Sequence, residues 1–168
     1  PLEKEALDYF INNAGSPNGV IDGGIPVFAA GNEYAGNPAF PGAYSKCVCV
    51  SSVAADYTPA CYTDFGSLVT LSAPGGDLEY YSKIGEQEDE YWAETTEQKG
   101  AVLSTMIKNG QPAYGYMEGT SMACPHVSGV AALGLAYAAK TNRHYRAADF
   151  VALMKKSVKE LDSHYQNG

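Results

Sequence analysis

The sequence lacks an excess of basic residues. It has 11 Lys and Arg against 19 Asp and Glu, which gives a formal net charge of −8. Nucleic acids and anionic membrane surfaces carry the same sign of charge and would repel such a chain. We therefore expect neither nucleic acid nor a membrane as a partner.

The sequence also lacks a long apolar run and a signal peptide at its start. Its longest apolar stretch, residues 127–139, is too short to span a bilayer and contains Ser128. Residues 1–10 carry two Glu, one Asp and one Lys where a signal peptide has an apolar core. The chain begins inside a predicted helix, so we expect it to be a piece of a longer protein. These residues leave its localisation open.

Cysteine is scarce, and its spacing fits neither a zinc site nor a disulfide framework. Two of the four cysteines, Cys47 and Cys49, alternate along a predicted strand, so their side chains share one face. No Cys-x-x-Cys or His-x-x-x-His pair occurs. Buried thiols are therefore favoured over a metal site or disulfides.

Glycine, proline and tyrosine are abundant by contrast, with 18, 9 and 13 copies among 168 residues. Many tight turns between short elements are typical of α/β or all-β proteins rather than of helical bundles. The length suits one domain over residues 1–168.

Three short apolar runs predict buried parallel strands. They cover residues 25–30, 47–53 and 68–73, and turn residues bound each of them. An amphipathic helix is predicted from residue 1 to about residue 12, and a helix that leads into such a strand is half of a βαβ unit.

The remaining elements are predicted in the second half of the chain. Residues 101–105 and 114–118 flank a turn-rich link at residues 108–112, so they are predicted to be the two strands of a β-hairpin. Residues 120 to about 140 are small and apolar almost all round, which predicts a central, buried helix. Apolar residues at helical spacing between Phe150 and Leu161 predict an outer amphipathic helix.

An acidic insertion is predicted at about residues 77–99, where eight acids accompany two bases. Such a charge run is typical of a solvated surface loop. A loop that binds a partner or a cation is the alternative.

The sequence Gly-Thr-Ser-Met-Ala-Cys-Pro-His-Val-Ser-Gly at residues 119–129 lies where a tight turn enters the buried helix. A serine at a helix N-terminus sits beside unpaired backbone N–H groups and the positive end of the helix dipole, which stabilise developing negative charge. The motif resembles the signature around the nucleophilic serine of subtilisin-like serine proteases. The resemblance implies that Ser121 is the nucleophile.

A second segment, residues 24–33, is similar to the family's strand that ends in Ala-Ala-Gly-Asn, which implies that Asn32 donates to the oxyanion. Residues 38–44 resemble the loop of the substrate pocket, and residues 69–75 resemble the family's strand into Ala-Pro-Gly. The residues assigned in this way to substrate binding are Ala30, Gly31, Glu33, Ala39, Phe40, Gly119 and Thr120.

Residues in or near the predicted pocket loop lead to further expectations about substrate binding. Ala39 stands where the family often has Gly, so we expect a shallower pocket. Glu33 near the rim is expected either to favour basic substrate side chains or to be an inert surface carboxylate. The resemblance also implies a cis peptide bond between Phe40 and Pro41.

The resemblance implies an α/β fold, a partial doubly wound parallel sheet with helices on both faces that lacks its N-terminal half. The family's catalytic residues occur in the order Asp, His, Ser, but the three histidines here, His126, His144 and His164, all follow Ser121. We expect them to be structural or surface residues. The chain therefore lacks the catalytic Asp and His and is expected to be inactive alone.

The implied partners are a peptide or protein substrate and the missing N-terminal half of the domain. Self-association through the exposed edge of the strand at residues 25–30 is the other possibility. No cofactor is required; calcium often stabilises relatives, but no ligand set is evident. The resemblance also suggests a secreted or cell-envelope location.

Two alternative functions differ in how well they fit the sequence. An α/β-hydrolase would need Gly-x-Ser-x-Gly, and Ala123 stands in place of the final Gly. A non-catalytic peptide-binding or scaffold module derived from the same fold remains the alternative to a protease.

Overall fold

The computed structural model describes residues 2–79 and 100–161. The helices are α1 (Leu2–Asn13), α2 (Thr120–Lys140) and α3 (Ala147–Lys156). The strands are β1 (Ile21–Asp22), β2 (Val27–Ala29), β3 (Val48–Val53), β4 (Leu71–Pro74), β5 (Val102–Lys108), β6 (Gln111–Met117) and β7 (Tyr145–Arg146). The predicted α/β architecture is confirmed.

The three predicted strands form one parallel sheet in the order β2-β3-β4. Val27 pairs with Val48 on one side of β3, and Val50 pairs with Leu71 on the other. All six residues of β3 are buried. An apolar run without polar alternation is the pattern of a strand that is covered on both faces, and β3 fits it.

Helix α2 packs across all three strands of this sheet. The core between them is built from Val48, Val50, Ala73, Ala123 and Val127. A buried valine contributes roughly 1.5–3 kcal/mol relative to an exposed one, so this cluster is a main source of stability. Helix α3 closes a second cluster with Phe150, which is buried against Ile21, Ala131 and Ala147.

The expectation that α2 is buried all round is wrong for the described residues. One face lies on the sheet, but Val130, Leu133 and Tyr137 on the other side are 61%, 74% and 62% exposed. The helix spans 21 residues with a mean hydropathy of 1.3, so by length and composition it could cross a membrane, contrary to the expectation from the shorter apolar run. Its packing on the sheet is that of a core helix.

Helix α1 is confirmed, but none of its residues is buried. Polar contacts tie it to the segment before β3: Asp8 Oδ1 accepts hydrogen bonds from the Tyr44 hydroxyl and from Lys46 Nζ, both at 2.6 Å. These donors, Lys46 first, lower the pKa of Asp8. The predicted apolar face, with Leu2 and Tyr9, is exposed among the described residues.

The predicted hairpin is confirmed, with strands longer than expected. β5 and β6 pair antiparallel from Val102 and Met117 to Lys108 and Gln111. Asn109 and Gly110, both with positive φ (51° and 75°), form the two-residue turn. Two positive φ angles are typical of the type I′ turns whose twist matches that of hairpin strands.

Asp77, the first residue of the predicted acidic insertion, is buried and not in a solvated loop. Asp77 is only 2% exposed, and its Oδ2 accepts a hydrogen bond from the backbone N–H of Cys61 at 2.8 Å. Its own N–H donates to the Gly100 carbonyl at 2.8 Å. Asp77 is therefore part of the folded structure, and residues 80–99 of the predicted insertion lie outside the described residues.

Candidate active site

Ser121 is the second residue of α2, at the exposed start of the helix. The turn before it depends on Gly119, whose φ of 143° is strained for any residue with a side chain. The Gly119 N–H donates to the Gly75 carbonyl at 3.0 Å, which fixes the turn to the segment after β4. The serine is thus presented by a helix N-terminus that is tied to the sheet.

The first turn of α2 leaves one backbone donor available. The N–H groups of Met122 and Ala123 donate to the Gly119 carbonyl at 2.9 and 3.2 Å. The Thr120 N–H donates to Asn32 Oδ1 at 2.9 Å. Among the described residues the Ser121 N–H has no acceptor, and it lies at the positive end of the helix dipole.

Asn32, three residues after the end of β2, has its side chain fixed against this turn. Its Oδ1 accepts hydrogen bonds from the N–H and the hydroxyl of Thr120, at 2.9 and 2.8 Å. A backbone N–H can only donate, so the oxygen must face Thr120 and the amide nitrogen must point away. Asn32 Nδ2 has no acceptor within the described part of the chain.

The two unpaired donors lie around one point. A Cβ atom on Gly119 would be 3.6 Å from Asn32 Nδ2 and 3.7 Å from the backbone nitrogen of Ser121. Both donors therefore border the same space at the start of α2, beside the serine. Two fixed N–H groups around one space can stabilise an oxyanion.

Several residues assigned to substrate binding have internal roles. Thr120 is buried, and its hydroxyl both donates to Asn32 and accepts from the Gly31 N–H at 3.3 Å. Ala30 is fully buried and its carbonyl accepts from the Ala39 N–H at 2.7 Å. Thr120 and Ala30 are therefore enclosed within the fold, as is the buried Gly119.

The predicted pocket loop, residues 38–44, is bonded to the segment before Asn32, because the Ala39 N–H donates to the Ala30 carbonyl at 2.7 Å. Ala39 and Phe40 are exposed, and the peptide bond between Phe40 and Pro41 is cis, as expected. Glu33 is also exposed, and its Oε2 accepts a hydrogen bond from the Asn32 N–H at 2.9 Å. Its effect on basic substrate side chains stays a prediction, as does the shallower pocket.

Two residues of the site were not predicted. The Tyr62 hydroxyl donates to the Gly76 carbonyl at 2.6 Å and lies 2.9 Å from Ser52 Oγ, next to the turn that holds Gly119. Burial raises the pKa of Tyr62 to about 12, so the hydroxyl stays a donor. Asp64 lies buried beneath the segment that carries Asn32. Neither is distinctive in sequence; only their contacts with distant segments mark them.

Neither described histidine is placed to act as a base for Ser121. His126 lies five positions along α2, on another side of the helix, and Nδ1 bonds to the Met122 carbonyl at 2.8 Å. His144 follows the far end of α2, whose 21 residues span about 30 Å. It bonds to the Gly19 carbonyl and, at 2.9 Å, to Asp22 Oδ2. His164 lies outside the described residues.

The cysteines are free thiols, with Cys47 and Cys49 buried. Burial is the main cause that raises the pKa of Cys49 to about 11 and that of Cys61 to about 12, so both stay protonated and unreactive. Within residues 2–79 and 100–161, no three His, Cys, Asp or Glu side chains group so that they could hold a metal.

The subtilase family model matches residues 4–168. The chain belongs to the subtilase family. It is 37% identical to halolysin of Haloferax mediterranei over 112 residues, 67% of this chain and 17% of that protein. It is 31% identical to the halolysin-like extracellular serine protease Nep of Natrialba magadii over 113 residues, 67% of this chain and 16% of that protein.

A solved structure of a protease from Pseudoalteromonas arctica has the same fold. It superposes with a TM-score of 0.62 at 31% sequence identity, over 81% of this chain and 36% of that chain. The subtilase chain described here thus spans about a sixth of the two halolysin relatives and about a third of the solved protease.

Proposed function

We propose that this chain is the nucleophile-bearing part of a serine endopeptidase, which hydrolyses peptide bonds through an acyl-enzyme. One observation carries the proposal. The two unpaired donors, Asn32 Nδ2 and the Ser121 N–H, border one space beside the serine. Family membership supports it, because the serine lies in the family's signature around the nucleophile.

In the proposed reaction Ser121 Oγ attacks the carbonyl carbon of the scissile peptide bond. The carbonyl oxygen becomes an oxyanion, which accepts hydrogen bonds from Asn32 Nδ2 and the Ser121 N–H. A base takes the hydroxyl proton and passes it to the leaving amine, and water then hydrolyses the acyl-enzyme. No cofactor is needed for these steps. Calcium is assigned no ligands among the described residues.

The base is proposed to come from outside this chain. No histidine precedes Ser121 in the sequence, and the family's order places both Asp and His before the serine. A serine hydroxyl without a base is a weak nucleophile. We therefore expect negligible peptidase activity from the chain alone, and activity from the full-length protein that contains it.

The partner that supplies the base is proposed to be the N-terminal half of the same domain. β2 ends the described order β2-β3-β4, so one of its edges has no described neighbour. The exposed apolar face of α2, with Val130, Leu133 and Tyr137, also requires a cover. Without that half, we expect the chain to self-associate through these surfaces.

Secretion is proposed by analogy. The halolysin-like relative from Natrialba magadii bears the description "extracellular" in its name. A peptide or protein is the expected substrate, bound beside the exposed loop with Ala39 and Phe40.

Peptide hydrolysis by the full-length protein tests the proposal. Replacing Ser121 with Ala is expected to lower kcat by about 10⁶, the scale found when a family member loses its nucleophile. Ser128→Ala is the matched control, because Ser128 lies exposed on the same helix and its hydroxyl donates to the Cys124 carbonyl. Unchanged hydrolysis by Ser121→Ala would refute the assigned nucleophile. A full-length protein that binds peptides without cleaving them would be the non-catalytic module.

A further inference from the structure

Asp64 is a buried carboxylate that the proposed reaction does not use directly. It lies between β3 and β4 and is only 2% exposed. Its Oδ1 accepts hydrogen bonds from the N–H groups of Glu33 and Ala35, at 3.0 and 2.8 Å. A buried carboxylate is costly unless it is hydrogen-bonded, and hydrogen bonds to a charged acceptor are about twice as strong as neutral ones. Asp64 therefore fixes the backbone just after Asn32.

Asp64 also contacts the residue just before Asn32. Its backbone N–H donates to the Gly31 carbonyl at 3.0 Å. A Cβ atom on Gly31 would lie only 2.1 Å from Asp64 Oδ2, so the carboxylate fills the space that a side chain would need. Gly31 has a φ of 122°, which a residue with a side chain rarely adopts. Only glycine fits here, and the carboxylate packs directly against it.

Two further hydrogen bonds extend the contact on either side of Asp64. The Tyr34 N–H donates to the Tyr62 carbonyl at 2.9 Å, and the Phe65 N–H donates to the Ala35 carbonyl at 2.9 Å. The backbone of residues 31–35 is thus held by residues 62–65, while the Asn32 side chain is held by Thr120. This contact could not be predicted from a local sequence pattern, because Asp64 lies 31 residues from Glu33.

We propose that Asp64 is a positioning residue for the oxyanion donor. It holds the backbone on both sides of Asn32, so that Nδ2 stays directed at the space beside Ser121. This inference rests on the proposed function. A misplacement of about 1 Å in a catalytic group can cost up to about 10² in rate, and loss of Asp64 removes the acceptor of two partly buried N–H groups.

A double-mutant cycle in the full-length protein tests the proposal. Asp64→Ala is expected to lower kcat by about tenfold with little change in KM, because only the oxyanion contact is weakened. In an Asn32→Ala background the same substitution is expected to change kcat less than about twofold, because the donor that it positions is gone. Asp64→Asn, which keeps an acceptor oxygen, is expected to restore most of the rate.

Active-site titration normalises every rate to folded, competent enzyme, so a general loss of stability does not enter kcat. If Asp64→Ala gives no folded protein, Asp64→Ser takes its place in the cycle, with a smaller effect expected of the same pattern. An equal loss of kcat in both backgrounds would overturn the proposal, as would no loss in either. Hydrolysis that survives Ser121→Ala would instead refute the proposed function, whatever Asp64 does.

Discussion

Two regions of the molecule differ in how completely their bonding is satisfied. Around Asn32 and Ser121, hydrogen bonds fix the backbone and the Asn32 side chain, and two donors that have no acceptor among the described residues, Asn32 Nδ2 and the Ser121 N–H, border one space. Along the outer face of α2, large apolar side chains such as Leu133 lie exposed. One region therefore presents two fixed hydrogen-bond donors, and the other leaves apolar side chains of α2 exposed. The unpaired donors fit the proposed binding of an oxyanion, and the exposed apolar surface fits the proposed N-terminal half of the domain.

The largest effect on activity is expected from loss of the Asn32 donor. Asn32→Ala in the full-length protein is expected to lower kcat by about 10²–10³ with little change in KM, a magnitude established on a member of this family. The reason is that Nδ2 contacts the oxyanion only as charge develops. Steady-state kinetics on a chromogenic peptide measures it.

Asn37→Ala is the matched control, because Asn37 is exposed in the following loop. A rise in KM with an unchanged kcat would show instead that Asn32 binds the substrate's ground state.

The next largest effect is expected on stability and self-association, when lysine is placed on the two faces of α2. In the isolated chain, Leu133→Lys is expected to change the free energy of unfolding by less than about 0.5 kcal/mol and to reduce self-association, because the side chain is already 74% exposed. Ala131→Lys on the packed face, where exposure is 7%, is expected to cost about 3 kcal/mol or more, because it buries an unpaired charge. Urea unfolding and light scattering measure both quantities.

Equal destabilisation by the two lysines would mean that the outer face is covered within the chain. Wild-type chain that stays monomeric without a companion peptide would also count against an open face.

Only some features of the two regions could be predicted from the sequence. The motif around Ser121 and the apolar runs are local, so the start of α2, the three strands and the hairpin were predictable. Asp64 and Tyr62 act through contacts with segments far along the chain, and no local pattern marks them. The exposure of Leu133 was not predictable either, because an apolar helix indicates burial without saying which part of the protein provides the cover.

The smallest expected effect is a pH dependence of stability. It arises at the end of α2 opposite Ser121. The Gly19 carbonyl and Asp22 raise the pKa of His144. A histidine whose pKa is higher in the folded than in the unfolded chain stabilises the fold when protonated. That contribution is fully present below the unfolded value of about 6.5 and is lost as pH rises through the folded-state pKa.

Thermal unfolding of His144→Gln checks this sign. The substitution is expected to lower Tm more at about pH 5 than at about pH 9, on either side of the histidine titration. His126→Gln is the control, because the His126 ring bonds to a helix carbonyl rather than to a carboxylate. A larger Tm loss at high pH would reverse the assigned shift.

This chain is proposed to hold the nucleophile and the oxyanion donors and to depend on a base from outside it. Fluorophosphonate labelling, followed by peptide mapping, tests this directly on the isolated chain and on the full-length protein under the same conditions. We expect rapid labelling of Ser121 in the full-length protein and negligible labelling of the chain alone. Rapid labelling specific to Ser121 in the isolated chain would contradict the proposed outside base, because a base would then have to lie within these 168 residues.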